Sequence, residues 1–96
     1  MLTVIAEIKA QPGQRDEVIA AFKQLLPSVL AEDGCGQYQP LTDVNGNTPD
    51  TLFMLEQWRD QAALAAHAQA PHMQAHHAAT DHLISSVLIH VLDKPF

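Results

Sequence analysis

DQAALAAHAQAPHMQAHHAATDHLI, residues 60–84, decides how this chain folds. Asp60 is a helix cap by residue type, because its carboxylate can accept the free N–H groups of a first turn. Alanines follow, with Leu64, Met73 and Ile84 as the larger apolar residues. The segment breaks near Pro71, and proline suits the first turn of a second short helix. A two-piece helix is therefore expected here. Five of the six histidines, His67, His72, His76, His77 and His82, lie on it. Histidine has the side chain whose unperturbed pKa is nearest neutrality, so it holds or passes a proton at small cost. Imidazoles gathered beside apolar residues point to proton chemistry or metal binding; the plainer reading is that some are solvated.

Strand-like runs flank this segment. Before it, Thr51 to Arg59 is rich in β-formers: Leu52, Phe53, Met54, Leu55 and Trp58. After it, Ser85 to Asp93 is apolar on both faces apart from His90. Further upstream, Leu2 to Ala10 alternates as a strand, with Leu2, Val4, Ala6 and Ile8 on one face, and Pro12-Gly13 ends it. A helix over Gln14 to Glu32 carries Val18, Phe22, Leu25, Leu26 and Val29 as one apolar stripe. Its first turn holds Asp16 and Glu17, where the helix dipole favours negative charge. Pro27 should kink it, and Gly34 suits a stop. Cys35 to Val44 reads as a strand that Pro40 confines to an edge or a bulge. Asn45-Gly46-Asn47 is a turn.

The order is β-α-β-β-α-β, the ferredoxin-like α+β arrangement, with the helices on one face of an antiparallel sheet. Residues 1–96 form a single domain. The other sheet face stays open, although the first, third and last strands are apolar on both sides. Val87, Ile89 and Val91 point one way there, Leu88 and Leu92 the other. An open apolar face of this extent is rare on a monomer. A homodimer packed sheet to sheet is therefore expected.

Composition narrows the function. The net charge is -6 at pH 7 with only five Lys and Arg in 96 residues, which excludes a nucleic-acid surface. No apolar run approaches the roughly 20 residues that span a bilayer. Cys35 is the lone cysteine, so no intrachain disulfide forms and a cytoplasmic home is expected.

Leu2-Thr3-Val4-Ile5-Ala6-Glu7-Ile8, the Lys9-Ala10-Gln11-Pro12-Gly13 turn and the helix leading to Glu32-Asp33-Gly34-Cys35 resemble the antibiotic biosynthesis monooxygenase family. Glu56-Gln57-Trp58 at the end of the third strand resembles it too, as does His67 followed by Ala70-Pro71-His72-Met73. The resemblance spans nearly the whole chain. It implies a dimeric α+β barrel with a pocket between helices and sheet in each subunit. It also implies oxidation of quinols or polycyclic phenols by molecular oxygen, with no cofactor and no metal. His77 matches by spacing the haem ligand of haem-degrading relatives. Their first-strand asparagine and their tryptophan are replaced here by Ile8 and His67, which argues against haem degradation.

An oxygenase without a cofactor draws electrons from its substrate, and a phenol gives them up more readily once deprotonated. That requires a base, an apolar pocket and donors for the substrate anion. His67 and His72 are the candidate catalytic bases. Tyr38, Trp58, Met73 and His77 are candidates to bind a small aromatic or quinol-like substrate. His77 falls on one helical stripe with Met73, Thr80 and Ile84, and Tyr38 can donate its hydroxyl. Trp58 can stack on a flat ring or wedge into a dimer interface. His72 and His76, four apart, lack further ligands at zinc-like spacing, so no metal site is expected. Glu7 and Glu56 need partners if buried, and Lys9 and Arg59 are plausible ones. A non-catalytic ligand-binding dimer, or an isomerase or lyase of a small oxygenated metabolite, fits the same residues.

Overall fold

Leu2–Ala10 forms β1, and its alternation sorts the sheet into two faces. Val4, Ala6, Ile8 and Ala10 are buried, while the residues between them are not. A strand turns successive side chains to opposite sides, so one phase of β1 faces the core. In the computed structural model, which describes residues 1–96, the elements that follow are α1 (Arg15–Leu30), β2 (Cys35–Leu41), β3 (Thr51–Trp58), α2 (Gln61–Gln69), α3 (Pro71–Thr80), a short 3-10 turn (Asp81–Leu83) and β4 (Ile84–Leu92). The strands lie in the order β2-β3-β1-β4, every neighbouring pair antiparallel. This is the expected ferredoxin-like α+β fold. Pro40 lies on the edge strand β2, where a missing N–H leaves no ladder position empty in the interior.

Register carries polar groups as well as apolar ones into the core. Leu52, Met54 and Glu56 pair with Ile8, Ala6 and Val4 on the helix-facing side. Glu56 therefore arrives buried among apolar neighbours because its strand phase leaves it no choice. Helix α1 covers this face with Val18, Phe22, Leu25 and Val29. The proline expected to kink the helix does not end it: α1 runs through Pro27 and stops at Leu30. In the last turn the proline removes one hydrogen bond with little helix left to disrupt.

The turn after α1 is tied closely to the start of α2. Gly34 has φ +85°, and a Cβ there would lie 2.6 Å from the Ala63 Cβ. The Gly34 carbonyl accepts the Arg59 N–H at 2.8 Å, and Arg59 forks onto Asp33 with two bonds of 3.2 Å. Asp60 caps α2 as expected, its Oδ1 accepting the Ala63 N–H at 2.9 Å. These contacts bring Glu32, at the foot of α1, against α2 and α3.

The expected partners of the strand carboxylates are not the observed ones. Arg59 is engaged by Asp33 and Asp60. Glu7 instead meets His90 across the β1–β4 pair at 2.8 Å, and Glu56 takes the Trp58 indole N–H at 3.0 Å. Trp58 lies two residues from Glu56 on the same strand, and His90 is the diagonal neighbour of Glu7, directly opposite Ile5. On β4, Val87, Ile89 and Val91 share the helix-facing side with Ile8, Ala6 and Val4, yet remain about half exposed. The helices stop short of this edge strand. Leu88 and Leu92, on the opposite face, are exposed too. No helix is long and apolar enough to cross a membrane.

Candidate active site

Between the helices and the sheet lies a cavity of about 180 Å³ with mostly apolar walls. Val4, Ala6, Ile8 and Met54 form its floor, Phe22, Leu64 and Met73 its sides, and Val87 and Ile89 its open end at β4. Its polar side chains are Tyr38, Glu56, His67, His76, His77 and Thr80.

Helix α2 carries His67 into this wall as a buried residue. Its Nδ1 lies 2.8 Å from Glu32 Oε2, and its ring packs on Trp58 with centroids 4.4 Å apart. Tyr38 meets it edge-on at 5.6 Å. A second imidazole, His72, reaches the same Glu32 oxygen through Nε2 at 2.8 Å. Glu32 is thus a largely buried carboxylate bridging two histidines, one from each piece of the broken helix. It fixes the His67 ring, and when its carboxylate accepts an Nδ1–H the lone pair is left on Nε2.

Trp58 holds a second group in place. Its indole face carries His67 and its N–H binds Glu56 Oε1. Burial pushes the Glu56 carboxyl up to about 7, a rise the Trp58 bond opposes and the Glu32 charge adds to. Burial, and then the charges of Glu56 and Glu32, push the Tyr38 phenol upward, so it remains a donor at neutral pH. Burial, with His77 beside it, pushes His76 down, so this imidazole is neutral there as well. The one sealed side-chain nitrogen or oxygen without a partner is Arg15 Nε. His67 Nε2, Glu56 Oε2, the Tyr38 hydroxyl and the His76 ring nitrogens make no hydrogen bond within the chain and none is sealed, and all four residues line the cavity.

The six residues singled out from sequence are divided by this geometry. His67, Tyr38, Met73 and His77 line the cavity. His72 does not, because Pro71 starts α3 so that its ring is drawn to Glu32 behind the wall. Trp58 is fully buried and lies behind His67 and Glu56 instead of facing a ligand or a subunit partner. The α3 stripe keeps Met73 and Thr80 but has His76 in place of His77. Met73, His76 and Thr80 are buried, with His76 packed 4.4 Å from Phe22, while His77 stays exposed at the cavity mouth. His72 and His76 face different partners and do not converge. Sequence reasoning missed Glu32 and Glu56 as site residues. Glu56 had a visible signal, a carboxylate in phase with Leu52, Met54 and Trp58; Glu32 had none.

A family model described as antibiotic biosynthesis monooxygenase matches residues 1–79. The chain belongs to that family. The antibiotic biosynthesis monooxygenase match includes Glu32, Tyr38, Glu56, His72 and the three histidines that line the cavity, and it places the protein among enzymes of the monooxygenase class. The protein named probable quinol monooxygenase YgiN, from Escherichia coli strain K12, is 41% identical over 100 residues, 96% of either chain. Of solved structures, PA3566 from Pseudomonas aeruginosa is 33% identical with a TM-score of 0.86, covering 97% of this chain and 92% of that one. Rv0793 from Mycobacterium tuberculosis is 28% identical with a TM-score of 0.84, covering 97% and 93%.

Proposed function

We propose that the protein is a cofactor-independent monooxygenase that oxidises a quinol-like or phenolic small molecule with O2, with His67 as general base. The observation that carries this reading is the Glu32–His67 pair, whose free Nε2 opens into an apolar cavity. His67 takes a hydroxyl proton from the substrate, and the resulting anion gives electrons to O2. The Tyr38 hydroxyl, kept protonated, donates to the substrate oxyanion. Met73 and His77 bound the ring, and His72 steadies Glu32 from behind. For a simple hydroquinone the balance is hydroquinone plus O2 to hydroxyquinone plus water. The name of the Escherichia coli relative, a quinol monooxygenase, supports the same substrate class.

Oxygen uptake by the wild-type protein with a panel of quinols tests this. Uptake faster than in buffer alone, with one atom of labelled O2 in the product, is expected. Equal turnover with and without oxygen would instead mark an isomerase or lyase, and no acceleration for any quinol would end the reading.

The active form is a homodimer joined through the open sheet face. Ile5, Phe53, Leu55, Leu88 and Leu92 share that face by register, around the Glu7–His90 pair. Light scattering is expected to give twice the 10.5 kDa chain mass. Leu88→Asp, which sets a charge in that face, is expected to return the mass to that of one chain; an unchanged dimer would place the interface elsewhere.

A further inference from the structure

Quinol oxidation releases two protons, one from each hydroxyl, and a single base accounts for one of them. The cavity wall holds a second acceptor. Glu56 Oε1 is occupied by the Trp58 indole, while Oε2 opens onto the same free space as His67 Nε2. One indole positions both groups, stacking on the imidazole and binding the carboxyl with its edge. Building on the oxygenase reading above, we propose that Glu56 is a second substrate-contacting group, which takes an oxygen of the ligand other than the one that faces His67. The cavity then selects aromatic compounds bearing two oxygen functions over those bearing one.

The chemistry of the exchange is balanced. As ring electrons pass to O2, one O–H bond breaks toward His67 Nε2 and the other toward Glu56 Oε2. One atom of O2 bonds to a ring carbon as the O–O bond breaks, the ring C–H proton it displaces ends on the new hydroxyl, and the two quinol protons go to the other oxygen atom, which leaves as water. A carboxylate accepts from a quinol hydroxyl, and a carboxylic acid donates to the quinone carbonyl that replaces it. With its carboxyl near 7, Glu56 is available in both forms at neutral pH. The titratable groups around it are Glu32 from the foot of α1, Cys35 and Tyr38 from β2, and His67 from α2. On β1 its cross-strand neighbour is Val4, which carries no charge.

Binding of duroquinone, which is fully substituted and adds no thiol, and of 2,3,5,6-tetramethylphenol separates the two-oxygen from the one-oxygen ligand. Calorimetry needs no turnover, so the result is independent of oxygen chemistry. Wild type is expected to bind the quinone about tenfold more tightly than the phenol at about pH 5.5, and to lose that preference by about pH 8.5 as the donor ionises. Glu56→Gln keeps an amide donor facing the cavity and is expected to hold the preference at both pH values. Glu56→Ala is expected to abolish it. Equal binding of the two ligands by wild type, no quinone binding by wild type, or an unchanged preference in a folded Glu56→Ala overturns the proposal. Should the preference fail while His67-dependent oxygen uptake persists, only this inference falls.

Discussion

His67→Ala is expected to lower kcat on a quinol substrate by about 10²–10⁴, the range associated with loss of a positioned general base. Of the imidazoles that line the cavity, His67 alone is held by a carboxylate. Glu56 is shared with Trp58, Tyr38 stays protonated, and His76 is packed on Phe22. Added imidazole is expected to restore part of the rate to His67→Ala, since the substitution leaves a ring-sized space beside Trp58. Glu32→Gln separates orientation from basicity. The glutamine amide can donate to Nδ1, which drives the proton to Nε2 and removes the lone pair that faces the substrate. A fall of about a hundredfold or more in kcat with KM little changed is expected. Glu32→Asp, which keeps the charge, is expected to recover part of it. His72→Ala removes only one of two contacts to Glu32 and should do much less. Turnover by folded His67→Ala within threefold of wild type would remove His67 from the chemistry.

The unequal visibility of these residues in the sequence has physical causes. The element order was legible because β1 alternates, α1 carries an apolar stripe, β3 and β4 are rich in β-formers, and Asp60, Pro71 and Asn45-Gly46-Asn47 punctuate the chain. Ends were less so. The second strand was expected to reach Val44 but stops at Leu41. The Asp43 carboxylate takes the N–H groups of Asn45 and Asn47 at 2.9 and 3.1 Å, which turns the chain away from the ladder. The choice between His76 and His77 turned on helix phase, and the restart at Pro71 erases the phase set by α2. His67 was visible as a residue type near an apolar segment. Its orienting partner was not, because Glu32 lies 35 positions earlier, past the end of α1, and only the Gly34 turn packed on Ala63 brings them together. Glu56 lay in plain alternation with Leu52, Met54 and Trp58. A buried carboxylate suggests a cation beside it, whereas here an indole N–H satisfies one oxygen and leaves the other free.

Glu56→Gln is expected to stabilise the protein above neutral pH and to leave it unchanged in acid. Burial raises the folded-state carboxyl from 4.5 to about 7. Between those values the native protein holds a proton that the unfolded chain has lost. Stability therefore falls as pH rises through this window, and the full benefit of the protonated form is present only below about 4.5. By about pH 8 the carboxylate costs on the order of 3 kcal/mol, at about 1.4 kcal/mol for each tenfold difference in proton affinity between the folded and unfolded chains. Glutamine keeps the shape and still accepts the Trp58 N–H, but never ionises. The difference between the two denaturation curves should open from near zero at about pH 4 to that full amount at about pH 8. In a chain of this size it amounts to a rise of roughly 10 °C in Tm. Ionisable groups remote from Glu56 contribute equally to both curves and cancel in the difference. Parallel curves across the whole range would mean that Glu56 ionises as freely in the folded protein as in the unfolded one. A water-filled, open cavity would do that, and it would also weaken the apolar setting in which His67 is assigned its base role. An opening difference ties the dryness of the cavity to the same carboxyl that its ligands are proposed to touch.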